Sequence, residues 1–150
     1  MMNGNKIYLL SKEKLIFFTL IIFYFLGYIL NEDGSGSGQH DYLTYLLKTQ
    51  EQISYNFSIS FFEEGFSGYT PLHFILYSPL YKLFGQDFLR LGNFFISLLV
   101  IYIFYRLLKK KFALINSNQL ILISTLPIID PYFRSSAFWF QNEITGIFFF

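Results

Sequence analysis

The sequence Asn31-Glu32-Asp33-Gly34-Ser35-Gly36-Ser37-Gly38-Gln39-His40-Asp41-Tyr42 directly follows an apolar run and opens a long polar connection. Its glycine-serine stretch can bend freely, because glycine tolerates positive φ. The connection closes at Tyr69-Thr70-Pro71-Leu72, and a second long apolar run follows. Each run is long enough to cross a bilayer, so we expect the acidic segment to be a loop between two membrane spans.

Composition indicates a membrane protein and excludes several other classes. Of 150 residues, 53% are hydrophobic and only 14% are charged, against roughly 25% charged in an average soluble domain. The absence of cysteine excludes disulfides, thiolate catalysis and cysteine-based zinc sites. His40 and His73 are too far apart in sequence to form a histidine-rich metal motif. The dense basic cluster at 106–111 is better explained by membrane topology than by nucleic-acid binding.

We predict an all-α fold, a multi-span transmembrane helical bundle whose outer loop carries amphipathic or interfacial helices. The predicted spans and loop are residues 15–30, 88–108, 119–131, a truncated span at 143–150, and the outer loop 31–87. A cleaved signal peptide is the alternative for the first run, but the run is long and aromatic, and no small-residue cleavage site follows it. The last run has no polar flank, which predicts a piece of a longer protein.

Residues 72–84 are too short and too interrupted to span a bilayer. We predict a helix that starts near Pro71 and lies in the interface plane. The side chains expected to face the acyl chains are Phe74, Ile75, Tyr77 and Leu80.

The distribution of lysine and arginine predicts the orientation in the membrane. Lys6, Lys12 and Lys14 precede the first span, Lys109 to Lys111 follow the second, and Lys48 is the one lysine in the long loop before residue 72. Both basic segments should therefore face the cytoplasm, with the N-terminus, and the acidic loop should face outside. Residues 130–143 then return to the outer side and meet the first acidic segment, unless residues 72–84 cross the bilayer.

Asp41 is the first candidate for chemistry, because it lies where the flexible stretch becomes an apolar pattern at helical spacing. It could be a general base that deprotonates an acceptor hydroxyl, which requires a carboxylate at the mouth of a cavity. The alternative is a helix N-cap that accepts backbone N–H groups. His40 beside it could share its proton or be a solvated loop histidine.

Two further groups have possible ligand-binding roles. Arg134, followed by Ser135 and Ser136, could bind a phosphate through its planar fork or serve as an interfacial anchor. Glu63 and Glu64 could ligate a divalent cation, although no spacing motif supports that cofactor.

The order of these segments resembles the integral-membrane glycosyltransferases of the GT-C type, in particular the RgtA/B/C/D-like and protein-mannosyltransferase-like families. The resemblance rests on Gln39-His40-Asp41-Tyr42, on Tyr69-Thr70-Pro71-Leu72, on Tyr81-Lys82-Leu83-Phe84-Gly85, on Phe88-Leu89-Arg90-Leu91, and on Pro131 to Phe138 followed by Glu143. It covers only the N-terminal part of such an enzyme. These enzymes transfer a sugar from a polyprenyl-phosphate donor to an acceptor on the outer side of the membrane.

The resemblance implies roles for individual residues. Asp41 matches the catalytic base and Glu143 a second outer acid, while Arg134, His40 and Tyr69 would contact substrate. Where the family often has two adjacent acids, Tyr42 follows Asp41. The implied partners are a polyprenyl-phosphate-linked sugar and membrane lipid, in a multi-pass protein of a bacterial inner membrane. The competing hypothesis is a non-enzymatic multi-span membrane subunit or lipid-carrier transporter.

Overall fold

A computed structural model describes residues 12–34, 36–56 and 71–149, and every regular element in those ranges is helical. This confirms the all-α class. In chain order the helices are α1 (Lys12–Ile29), α2 (Gly38–Asp41), a π-helical turn (Tyr42–Leu46), α3 (Leu47–Tyr55), α4 (Pro71–Phe84), α5 (Asp87–Lys111), α6 (Ser117–Ser124), α7 (Leu126–Ile129), α8 (Pro131–Phe138) and α9 (Asn142–Phe149).

The helix α1 ends at Ile29, and Asn31 just beyond it adopts a left-handed conformation with a φ of 57°. The amide of Asn31 donates to the carbonyl of Tyr28, and that of Glu32 donates to the carbonyl of Gly27. This is the Schellman pattern, in which the left-handed residue is usually glycine and sometimes asparagine. The reversal directs Glu32 and Asp33 back toward the rest of the fold.

Within the described ranges, α5 is the one helix that is both long enough and apolar enough to cross a bilayer. Its 25 residues extend roughly 37 Å at 1.5 Å per residue. The predicted span 119–131 forms two short helices, α6 and α7, which break at Thr125. Further spans beyond α5 therefore stay a prediction.

The helices α1 and α5 run antiparallel. Asn31, just after α1, accepts a hydrogen bond from Arg90 near the start of α5, while the Tyr24 hydroxyl contacts the Ser97 hydroxyl farther along at 2.6 Å. This arrangement gives the bundle two chemically different ends. The acidic end carries Glu32 and the start of α5, and the lysine end carries Lys12, Lys14 and Lys109 to Lys111.

Aromatic side chains fill the core between α1, α5 and α8. The rings of Tyr24 and Phe94 stack with centroids 5.3 Å apart, and Phe138 lies 4.9 Å from Tyr24. The buried side-chain amide of Asn93 links α5 to α8, because it donates to the carbonyl of Ser136 at 2.8 Å. Buried polar groups in folded proteins are usually satisfied by such internal hydrogen bonds.

The helix α4 begins at Pro71, as predicted, but the predicted apolar face is wrong in part. Phe74 and Tyr77 are buried in the protein core, and the Tyr77 hydroxyl donates to Asn93 at 3.2 Å. Leu80 is partly buried against the same core. Of the four side chains expected to face lipid, only Ile75 is exposed, together with Leu72, Leu76 and Leu83 on the outer surface.

Candidate functional site

Asp33 caps the helix that carries Asp41. The backbone amides of Gly38 and Gln39 both donate to the Asp33 carboxylate at 3.1 Å. The Ser135 hydroxyl donates to the same carboxylate at 2.6 Å. The N-cap alternative for Asp41 is therefore wrong, because the helix starts three residues earlier and its free amides are satisfied by a different acid.

Asp41 lies where α2 passes into the π-helical turn. Its side chain is half-buried, and among the described residues no group donates a hydrogen bond to its carboxylate. Single π-helical turns are rare in proteins overall, and those that occur are often found at functional sites. Within the part of the chain that the structure describes, the Asp41 carboxylate therefore has no structural role as a hydrogen-bond acceptor.

Glu143, the second predicted acid, lies beside Tyr132. The Tyr132 hydroxyl donates to Glu143 Oε1 at 3.2 Å, while Oε2 is buried and has no hydrogen-bond partner. The pKa of Tyr132 is raised, first by the charge of Glu143, then by burial and their hydrogen bond, and also by the charge of Asp41. Tyr132 therefore contacts Glu143 directly, whereas no hydrogen bond or ion pair joins Asp41 to Glu143 among the described residues.

A cavity of about 320 Å³ adjoins Glu143. Its lining combines the carboxylates of Asp130 and Glu143 and the Tyr132 ring with apolar side chains from α7 and α9. Asp130 caps α8 by accepting from the amide of Phe133 at 2.7 Å. Glu143 therefore lies beside a largely apolar concavity, and Asp41 is not among the described residues that line it.

Arg134 is held by Glu32, so its fork is not free in this structure. Arg134 Nε donates to Glu32 Oε1 at 2.8 Å, and Nη2 contacts Oε2 in a bidentate ion pair. Nη1 donates to the carbonyl of Ile128. Gly27 makes room for the pair, since a Cβ at that position would meet both charged side chains. A phosphate contact through Arg134 stays a prediction, and it would require this ion pair to open.

Two segments distant in sequence are joined at the acidic end. Besides the Glu32–Arg134 and Asp33–Ser135 contacts, the Trp139 indole donates to the carbonyl of Glu32 at 2.9 Å. Residues 31–41 and 130–143 therefore lie together, as the charge distribution predicts. The membrane side on which they lie stays a prediction.

The remaining predicted site residues are not brought into this cluster. His40 is exposed, and its ring packs edge-on to Tyr45 at 6.2 Å. Tyr69 and the proposed cation ligands Glu63 and Glu64 lie outside the described residues. In residues 12–34, 36–56 and 71–149, no group of three or more His, Asp or Glu side chains could hold a metal ion.

His73 is a buried polar residue that the sequence did not single out as functional. Its Nδ1 atom lies 2.7 Å from the Thr145 hydroxyl, which connects α4 to α9. Burial among aromatic rings lowers the pKa of His73 to about 3. The imidazole is therefore neutral at physiological pH and acts as a hydrogen-bonding link between helices.

We expect the free energy of unfolding to fall as the pH is lowered from about 6.5 toward 3. Because the folded pKa of His73 lies below the ordinary value of 6.5, the unfolded state takes up the proton first. The slope is at most about 1.4 kcal/mol per pH unit. Unfolding in detergent, followed by the fluorescence of the single tryptophan, measures it.

His73→Asn tests the assignment, since its amide can still reach Thr145 but does not titrate. This variant should lose most of the slope below pH 6.5, whereas His40→Asn, at an exposed site, should keep it. An unchanged slope in His73→Asn would contradict the role of His73.

No family model matches this sequence, and comparison with curated proteins and with solved structures likewise gives no match.

Proposed function

We propose that the chain belongs to a multi-span membrane glycosyltransferase that transfers a sugar from a polyprenyl-phosphate donor to an acceptor hydroxyl on the outer face of the membrane. The supporting observation is that, among the described residues, no group donates a hydrogen bond to the half-buried Asp41 carboxylate. A carboxylate that is available to accept a proton is what deprotonation of a hydroxyl requires.

In this proposal, Asp41 takes the proton of the acceptor hydroxyl as its oxygen bonds to the anomeric carbon. The bond between that carbon and the phosphate oxygen breaks, and polyprenyl phosphate leaves with the electron pair. Glu143 supplies a second negative charge near the acceptor. The hydrogen bond from the Tyr132 hydroxyl orients its carboxylate. The leaving phosphate needs a positively charged partner.

The membrane location is supported by apolar side chains that face outward on α1 and α5. More than half of the surface of Leu15, Ile22 and Phe23 on α1 is exposed, as is that of Phe95 and Leu107 on α5. Such continuous apolar surface is costly in water and favourable in lipid. The lysine end would face the cytoplasm and the acidic end the outside, in a bacterial inner membrane.

The test is a transfer assay on the protein expressed from its full reading frame and reconstituted in vesicles. A panel of polyprenyl-phosphate-linked hexoses serves as donors, and release of polyprenyl phosphate is the readout. We expect one donor to be consumed faster than in empty vesicles, with loss of that activity in Asp41→Asn. Release that is unaffected by this substitution would contradict the proposal.

A non-enzymatic membrane subunit is the second candidate, favoured by apolar cavities between the long helices. One of about 510 Å³ lies between α5 and α9, and one of about 420 Å³ lies between α1, α5 and α6. Both could receive lipid chains or a partner's helix. This alternative predicts that acids at the acidic end are dispensable, whereas substitutions such as Leu107→Asn abolish assembly.

A further inference from the structure

We infer that Arg90 forms a binding site for the phosphate group of an amphipathic organic phosphate. Arg90 lies on the first turns of α5, at the acidic end. Arg90 makes no ion pair with a described residue, so no carboxylate in the described ranges lies within 4 Å of it. The inference does not depend on sugar transfer.

The hydrogen bonds of Arg90 leave its charge uncompensated. Nε donates to the carbonyl of Phe138 and Nη2 to the Asn31 side chain, each at 2.9 Å. Both acceptors are neutral, and Nη1 has no acceptor among the described residues. Two of the five guanidinium N–H groups are used in this way and three remain for an anion, which arginine can bind in a bidentate geometry when the anion is phosphate.

The guanidinium is also held in a fixed position. Its central carbon lies 3.9 Å from the centre of the Trp139 ring system and 5.5 Å from the Tyr28 ring. Trp139 is itself fixed by its hydrogen bond to Glu32. A side chain that is already ordered loses less entropy when it binds a ligand.

Arg90 opens onto a cavity of about 250 Å³, large enough for a phosphate and part of the group that it is attached to. Unlike the apolar cavities between the long helices, this one is lined mainly by polar side chains, namely Asn31, Gln39, Tyr42, Gln86, Asp87 and Arg90. Leu43, Leu47 and Trp139 supply an apolar wall. Polar and apolar lining together favour an organic phosphate over a bare inorganic ion.

Asp87 is the one carboxylate in the cavity lining. It is exposed and lies beyond ion-pair distance from Arg90. Its charge repels a bound anion, so neutralising it should strengthen binding if the ligand sits beside Arg90. Asp87→Asn is therefore a variant that should bind the anion more tightly than the wild type.

Trp139 is the only tryptophan in the chain, so its fluorescence reports directly on this cavity. The detergent-solubilised full chain is titrated with farnesyl phosphate, inorganic phosphate and farnesol, at low and high salt. We expect a saturable change with farnesyl phosphate that weakens as salt rises. Arg90→Gln should weaken binding at least tenfold, and Asp87→Asn should tighten it severalfold.

The three probes separate the sources of the phosphate. A stronger response to farnesyl phosphate than to inorganic phosphate indicates a lipid-type ligand, and equal responses indicate that phosphate alone is recognised. A response to farnesol equal to that of farnesyl phosphate overturns the inference, as do unchanged affinities in both variants. Because binding is measured without any transfer reaction, failure here leaves the proposed glycosyltransferase activity to its own assay.

Discussion

Replacement of Asp41 with Asn is expected to lower sugar transfer by about a hundredfold to ten-thousandfold, the usual contribution of a general base. The amide has the same shape as the carboxylate but cannot accept the acceptor's proton. Because Asp41 receives no hydrogen bond from the described residues, the substitution removes no structural contact there. The rate of donor consumption in reconstituted vesicles measures the effect.

The matched control is Glu51→Gln, at an exposed carboxylate on α3 of the same helical segment. It should transfer sugar at the wild-type rate and insert in membranes to the same level. Glu143→Gln should fall between the two, since Glu143 supports the reaction without taking the proton. If Asp41→Asn kept activity within a few fold of the wild type, Asp41 would have no part in the mechanism.

The second large effect is expected at the Glu32–Arg134 ion pair. Removing one partner of a buried pair costs about 3–5 kcal/mol, because the other charge is left unpaired. The side chain of Arg134 is 14% exposed, but that of Glu32 is 36% exposed, which reduces the cost. We expect Arg134→Gln to lower the free energy of unfolding by about 2–3 kcal/mol, measured by chemical unfolding in detergent with Trp139 fluorescence.

A double-mutant cycle separates the ion pair from other effects of the substitutions. The variant with both Glu32→Gln and Arg134→Gln should be more stable than the sum of the single losses predicts, by about 1–2 kcal/mol. Arg106→Gln, at an exposed arginine near the lysine end, should change stability by less than about 0.5 kcal/mol. Strict additivity of the two single losses would show that the pair contributes no coupling.

Local sequence signals predicted the parts of the fold that local forces determine. The apolar runs predicted the approximate bounds of α1 and α5, and Pro71 predicted the start of α4. The contact between residues 31–41 and 130–143 was predicted from the placement of the lysines. Successive helices that run in opposite directions return the chain to the acidic end. These predictions depend on length, charge and turn residues, which a sequence shows directly.

Contacts between distant residues could not be predicted in this way. Glu32 and Arg134 are separated by 102 positions, and no spacing pattern links them. Asp33 caps a helix that begins five residues later, across a glycine-rich turn. Asp41 directly precedes the apolar helical pattern, so the sequence offered Asp41 as a possible N-cap instead.

The prediction of which face of α4 is buried failed for a different reason. Both its inner and outer faces are apolar, with Phe74 and Tyr77 on one and Leu72 and Leu76 on the other. Hydrophobic periodicity therefore cannot choose between them. On the buried face, the Asn93 side chain accepts a hydrogen bond from the Tyr77 hydroxyl, a contact between distant residues that periodicity does not show.

The central claim is that the acidic end lies outside the membrane and the lysine end in the cytoplasm. Because the chain has no cysteine, single cysteines at the exposed positions 39, 110 and 132 can be labelled individually with a membrane-impermeant maleimide in intact cells. The account predicts that positions 39 and 132 react from outside and that position 110 reacts only after the cells are opened. Labelling of position 110 from outside, or of 39 and 132 only in opened cells, would contradict it.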